Sequence, residues 1–272
     1  MKPYITFVIL LVNYTFYAQV TLNADGPGDT YELITSVLAP GNKPIEAPGF
    51  SINDCDNHSS FDGTHITEAF DKELNDHVFK FFIHLKEDND RCKKFDRQRN
   101  EIKSYDKSPD NLKGVKGETV IYQWKFKIDK KFQVSKKFTH LHQLKAVGGS
   151  EKNMPLITLT ARKGNPDKLE LRYASNLDQT TLATVNLNAL RGNWIEAIET
   201  VKYGENGVYK IILTNLQTGD ELLNYSDNTI RMWKTDADFV RPKWGIYRSL
   251  KHPLDLRDEE VLFANFKVTE IQ

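Results

Sequence analysis

Thr119-Val-Ile-Tyr-Gln-Trp-Lys-Phe-Lys-Ile128 is the stretch that decides the fold class. Aromatic and β-branched residues alternate in it with polar ones, and in an extended chain successive side chains point to opposite faces. It reads as a strand. Outward from it, runs of the same kind recur at 78–85, 156–160, 168–173, 184–187, 194–201, 207–213, 221–225 and 261–268. Turn signals at Lys163-Gly-Asn-Pro166, Gly204-Glu-Asn-Gly207 and Thr218-Gly-Asp220 separate several of them. Residues 67–75 give the best short helix. The run 194–201 has helical composition, but its β-branched residues and the turn after it favour a strand. Glu196 and Glu199 then lie on opposite faces and read as surface carboxylates. Many strands at short intervals predict an all-β, two-sheet sandwich or jelly roll.

The 272 residues, 39% hydrophobic and 11% aromatic, suffice for one substantial core, and no repeat or low-complexity linker divides them. Lys+Arg and Asp+Glu both total 37, so no global field draws in a polyanion. That argues against a general nucleic-acid surface; attraction for an acidic substrate must be local. Lys2, the apolar run 5–12 and Ala18 before Gln19 read as a secretory leader, leaving 19–272 as a single domain. Asn13 and Thr15 interrupt that run, which is too short for a membrane span. A secreted or periplasmic monomer is expected. Cys55 and Cys92 are the only cysteines. In an oxidising compartment they are expected to pair, tying the loop around Asp54 and His58 to the loop before Arg97. Neither CxxC nor HExxH occurs, so no metal site is predicted. Glu87-Asp-Asn-Asp90 offers calcium-type oxygens without EF-hand spacing or glycine, and reads as a solvated acidic turn. No cofactor is required.

Three segments carry candidate chemistry. In Arg241-Pro-Lys-Trp-Gly-Ile-Tyr-Arg-Ser249, Lys243, Gly245 and Tyr247 share one strand face, and Trp244 and Ile246 the other. Gly245 leaves space between a cation and a phenol, and Lys243 and Arg248 bring positive charge near a Tyr247 phenolate. In Asp96-Arg-Gln-Arg-Asn-Glu-Ile-Lys103, Arg97, Arg99, Glu101 and Lys103 share a face, where the carboxylate would aim Arg99 and Lys103 at a ligand carboxylate. In Phe138-Thr-His-Leu-His-Gln-Leu-Lys145, regular alternation groups Leu141, Gln143 and Lys145 against His140, His142 and Leu144. His140 and His142 at i, i+2 could share a metal, but no acidic third ligand is in view. Each segment alone also suits an ordinary strand with solvated charges or a core histidine.

Together, Arg99-Asn-Glu-Ile-Lys103, Gln143-Leu-Lys145 and Lys243-Trp-Gly-Ile-Tyr247 resemble, in order and spacing, the strand motifs of jelly-roll polysaccharide lyases of the alginate lyase type. Those motifs read Arg-Ser/Thr-Glu-Leu-Arg, Gln-Ile-His and Tyr-Phe-Lys-Ala-Gly-x-Tyr. The longer runs 96–107, 139–145 and 241–249 look closer to the glucuronan and ulvan lyase branches, ulvan first. The resemblance implies a concanavalin-like sandwich with a substrate groove on its concave sheet, and β-elimination of a uronic-acid polymer. It implies that Tyr247 protonates the leaving oxygen, that Gln143 and Arg99 neutralise the carboxylate, and that Glu101 holds Arg99. Lys243, Arg248, Lys103, Arg97, His140 and Trp244 would line the subsites. The family's second-strand His falls on Lys145, and Trp244 replaces a small residue of the alginate enzymes. These departures speak against alginate and leave the base open among Lys145, His142 and Tyr247. A free Lys titrates near ~10.4 and a Tyr near ~10, so either base must be tuned down.

Two other classes use the same architecture. A glycoside hydrolase needs two carboxylates facing across a cleft, roughly 5–9.5 Å apart, and no Glu-x-Asp-x-Glu strand occurs. A non-catalytic carbohydrate-binding module would present Trp124, Trp233 or Trp244 as stacking platforms.

Overall fold

The structure, a computed structural model, describes residues 17–48 and 64–271. In chain order its strands begin with β1 (Tyr17–Leu22), β2 (Ile45–Glu46), β3 (Ile66–Asp71), β4 (Asp76–Ile83) and β5 (Arg97–Lys103). Then follow β6 (Thr119–Ile128), β7 (Thr139–Gly148), β8 (Ile157–Arg162), β9 (Lys168–Tyr173) and β10 (Thr180–Asn186). The last are β11 (Ile195–Lys202), β12 (Val208–Asn215), β13 (Glu221–Asp227), β14 (Ala237–Ser249) and β15 (Glu259–Ile271). Among the described residues one α-helix, α1 (Thr30–Leu38), lies between β1 and β2.

These strands form two antiparallel sheets facing each other in an all-β jelly-roll sandwich, the class that the strand spacing predicts. One sheet runs β13-β12-β11-β6-β15-β4-β3, with β1 also on β15; the other runs β10-β9-β8-β7-β14-β5-β2. The alternation that identified β6 is what fills the space between them. Val120, Tyr122, Trp124, Phe126 and Ile128 are all buried, while the residues between them are partly exposed. From the opposite sheet Trp244 packs on Trp124, Tyr122 and Phe266, with ring centroids 6.0, 6.4 and 5.1 Å away. Burying each such side chain contributes about 1.5–3 kcal/mol.

Two local expectations are corrected. Residues 67–75 are not helical: Ile66–Asp71 pairs with β4, and the Asp71 carboxylate caps the turn by accepting the N–H groups of Glu73 and Leu74. The helix is instead α1, whose Thr30, Ile34 and Leu38 are buried at fourfold spacing. Glu199 is not a surface carboxylate; it is fully buried, although Glu196 on the opposite face is partly exposed as expected. Most of the expected leader (residues 1–16) and Cys55, hence the expected bridge to Cys92, lie outside the described residues, as do Asp54 and His58. A cut after Ala18 would leave Gln19–Leu22 paired with residues 266–269 of β15.

Candidate active site

Residues 97–103, 139–148 and 237–249, distant in sequence, become neighbours in the order β7-β14-β5. Their register arranges the face turned away from the core in rows across the three strands. Arg99, Tyr247 and His140 form one row; Glu101 and Gly245 begin the next; Lys103, Lys243 and Gln143 form a third; Arg241 pairs with Lys145 beyond it. Gly245 is required by backbone approach more than by ligand space. At φ +143° an added Cβ would lie 2.1 Å from the Asn100 carbonyl oxygen and 2.7 Å from Glu101 Cα.

The alternation read from the sequence fails at one residue, Leu141. Thr160 of β8 pairs with His140 and Leu159 with His142, while on β14 Tyr247 meets His140 and Trp244 meets His142. Leu141 is the extra residue of a β-bulge, which reverses the facing of everything before it. His140 therefore joins Gln143 and Lys145 outside, and His142 points into the sandwich. There His142 Nε2 lies 2.9 Å from Glu199 Oε2, the Tyr209 hydroxyl donates to Glu199 Oε1 at 2.8 Å, and the imidazole sits 4.4 Å from the Trp124 ring. His142 is thus a core histidine held through Nε2, neither a base nor a partner of His140 for a metal.

Two expected substrate contacts are corrected for the same reason of facing. Trp244 is 1% exposed within the core, so it neither stacks on sugar nor discriminates against alginate. Arg248, also 1% exposed, turns inward; its Nε donates to Gln98 Oε1 and its Nη1 to the Arg257 carbonyl, both at 2.8 Å. Burial pushes its guanidinium down to about 10. It lends no charge to Tyr247. Trp124 and Trp233 are buried as well, which removes the stacking platforms of a binding module.

The outer face holds a dense ion network. Glu101, 1% exposed, receives hydrogen bonds from Arg99, from Gln143 and from Lys243 Nζ, the last at 2.6 Å. Glu46, on the two-residue edge strand β2, sits directly across from Glu101. Like charges in that position repel unless cations separate them. Lys243 Nζ bridges them, reaching Glu46 Oε2 at 2.6 Å, while Lys103 and Arg91 donate to Glu46 Oε1 at 2.6 and 2.7 Å. Asp90 accepts from Arg99 Nε at 3.0 Å and from Arg91 Nε at 2.9 Å. Burial raises the Glu101 carboxyl, but Lys243 and Arg99 overcome it and hold the group at about 2. Glu46 is likewise held well below its ordinary value, the burial being outweighed by Lys243, Arg99, Lys103 and Arg91. Burial wins at Lys103, pushed down to about 8 against the pull of Glu46. Arg99, Gln143 and Lys243 therefore spend their donors largely on carboxylates of the protein itself. The buried glutamates are not a hydrolase pair, because cations neutralise both.

Tyr247 stands at the end of this network. Arg97 Nη1 donates to its hydroxyl at 3.0 Å, and the Arg99 guanidinium lies 3.6 Å from its ring centroid. The His140 ring is 5.8 Å away, stacked on Phe138 at 4.7 Å. Burial lowers His140 to about 3, so it is uncharged at neutral pH. Arg97 is held firmly protonated, first by its hydrogen bonds with Asp96 and then by Tyr247. Lys145 is elsewhere. It pairs with Arg241, six residues along β14 from Tyr247, roughly 20 Å at ~3.3 Å per residue. Its ammonium donates to the Asn153 carbonyl at 3.1 Å, and burial, with Lys243, Arg241 and Arg99, pushes it down to about 7. Of the three bases left open by the sequence, only Tyr247 occupies the Arg97–His140 end of the face.

Sequence reading missed Glu46, Asp90 and Arg91. A two-residue strand has no periodicity to detect, and Glu87–Asp90 read as solvated although Asp88, Asn89 and Asp90 are buried. The accumulation of cations around Glu101 was the available sign that further carboxylates must converge there.

No curated protein matches the chain in sequence. In shape it resembles an endo-β-1,4-glucuronan lyase from the fungus Trichoderma reesei, with 16% identity and a TM-score of 0.54 over 82% of this chain and 93% of that one. A PL-14 alginate lyase from Aplysia kurodai gives 15% identity and 0.55, over 91% and 97%. The alginate lyase Aly36B gives 11% and 0.57, over 93% and 96%. At such identities the likeness establishes the fold. A family model described as Polysaccharide lyase matches residues 56–267, and with that match over most of its length the chain belongs to the polysaccharide lyase family.

Proposed function

We propose that this protein is a secreted or periplasmic monomer that cleaves a 4-linked uronic-acid polysaccharide by β-elimination, with ulvan the preferred substrate and glucuronan next. The observation that carries this reading is Tyr247, hydrogen-bonded by Arg97 and flanked by uncharged His140, on a face where cations outnumber carboxylates. The whole chain has no net charge, so that excess is local, as an anionic substrate requires.

The hard step is loss of the weakly acidic C5 proton beside the carboxylate. The Tyr247 oxygen, to which Arg97 donates, takes that proton. The C5–H electron pair becomes the C4=C5 double bond as the C4–O bond breaks, and the Tyr247 phenol returns the proton to the departing oxygen. Arg97, which donates to the Tyr247 hydroxyl, and Arg99, whose guanidinium lies against the Tyr247 ring, stand nearest to spread the enolate charge, and donors fixed beforehand act most strongly there. Glu101, held by Gln143 and Lys243, keeps Arg99 in place. Lys145 and Arg241, further along the same face, meet carboxylate or sulfate of neighbouring sugars.

The test is an ultraviolet time course on the mature chain with ulvan, glucuronan, alginate and heparin offered separately. Absorbance from the conjugated double bond on ulvan, or next on glucuronan, is expected. Reducing ends released without that absorbance would mean hydrolysis. Silence in both measurements would leave binding alone.

A further inference from the structure

We propose that His65, His84 and Asp88 form a binding site for a zinc-type divalent cation, on the opposite side of β5 from Arg99 and Glu101. One donor atom from each of the three lies within 4.8 Å of the others. His65 Nε2 is 2.9 Å from Asp88 Oδ1, and His84 Nδ1 is 3.5 Å from Asp88 Oδ2. A tetrahedral ion with bonds of about 2.0–2.1 Å keeps its donors roughly 3.3 Å apart, close to each of these separations, which reach different oxygens of the one carboxylate. The rings stand edge to face at 5.2 Å and 72°, so neither blocks the other's approach to a shared centre. The His65 and Asp88 side chains are fully covered, whereas His84 is 20% exposed and offers the way in.

The donor chemistry selects the ion. Two imidazoles and one carboxylate suit zinc, while calcium needs about six to eight oxygens. The backbone beneath is built to hold the group. Asp88 N–H donates to the His84 carbonyl at 3.1 Å, and His84 N–H donates to Asp88 Oδ2 at 2.6 Å, closing the turn between them. Gln98 Nε2 donates to the carbonyls of His84, Leu85 and Asp88 at 2.6, 3.0 and 3.0 Å. Asn100 Nδ2 reaches the His65 carbonyl at 2.7 Å. The inner face of β5 thus fixes the main chain of every donor, and the outer face of the same strand carries Arg99 and Glu101. Asp90, two residues beyond Asp88, accepts from Arg99. A cation at Asp88 would therefore anchor the loop that orients Arg99 beneath Tyr247.

The experiment uses the untagged mature chain, dialysed against zinc and then assayed for bound metal, with cobalt as a spectroscopic substitute. About one equivalent of zinc is expected, together with visible cobalt bands of a low-coordinate nitrogen–oxygen site. His84→Ala should lower affinity by more than about tenfold, since even outer-shell losses cost that much. Chelation should lower the unfolding temperature, and zinc should restore it. Wild-type protein that retains no zinc and gives no cobalt spectrum would overturn the proposal, leaving a hydrogen-bonded His–Asp cluster. That result needs no variant to fold, and it is independent of which polymer is cleaved.

Discussion

Replacing Glu101 by Gln removes one negative charge from the middle of the outer face at almost constant shape. Glu101 is 1% exposed, and its carboxyl is held at about 2 against an ordinary 4.5, because Lys243 and Arg99 outweigh the burial. A difference of roughly 2.5 units, at ~1.36 kcal/mol each, corresponds to about 3 kcal/mol of folding stability. Removing one partner of a buried pair typically costs about 3–5 kcal/mol. The lower end applies here, since Lys243 keeps Glu46 at 2.6 Å and Arg99 keeps Asp90 at 3.0 Å. A carboxyl whose pKa is depressed on folding stabilises fully above about 4.5, and that contribution fades as pH falls towards about 2. Urea unfolding should therefore show Glu101→Gln less stable by about 3 kcal/mol near neutral pH. The gap should close on acidification, because the wild type loses what the variant never had. A variant within about 0.5 kcal/mol of wild type, the usual range of an inconsequential surface change, would refute the reasoning. So would a gap that stays constant through the acid range.

Further outcomes follow from the same geometry. Tyr247→Phe should lower turnover by about 10²–10⁴-fold, the usual share of general acid–base catalysis. Arg97 keeps its pairing with Asp96, so the unfolding temperature should move little; full activity in the variant would remove Tyr247 from the chemistry. For Lys145, pushed down to about 7, the ammonium loses its charge as pH rises through that value, and KM should climb there. Lys145→Met should give a high KM without that rise, and identical profiles would place Lys145 outside the subsites. Gly245→Ala drives a Cβ against the β5 backbone at a positive φ and should cost more than about 2 kcal/mol, read from its thermal midpoint. An unchanged midpoint would show that β5 and β14 can separate without loss.

The parts of the fold that were legible in the sequence are those with sustained period-two alternation. β6 and β9 have the predicted bounds, and most of the remaining predicted strands shift by only one to four residues. The site was legible where strands stay regular: Arg97, Arg99, Glu101 and Lys103 share a face, as do Lys243, Gly245 and Tyr247. It was not legible at Leu141, because a bulge depends on how two neighbouring strands pair and leaves no mark on either alone. One extra residue parts His140 from His142, which regular alternation would place on one face. Nor was the fate of Lys243 visible, since its carboxylate Glu46 comes from a segment 197 residues away.

That remote glutamate changes how the cations on this face divide their work. Arg91, Arg99, Lys103 and Lys243 answer Glu46, Asp90 and Glu101, and ions so buried persist only when paired and hydrogen-bonded. They form the floor of the site. Among the described residues Arg97, Arg241 and Lys145 pair with no buried carboxylate, and they stand at both ends of the Tyr247-to-Lys145 line. Loss of a floor cation should therefore appear first as instability with an acid-sensitive component. Loss of Arg97 should appear in turnover, and loss of Arg241 or Lys145 in KM. If all these substitutions shifted KM alone, floor and rim would be one binding surface, and the rigid network beneath Tyr247 would have no separate role.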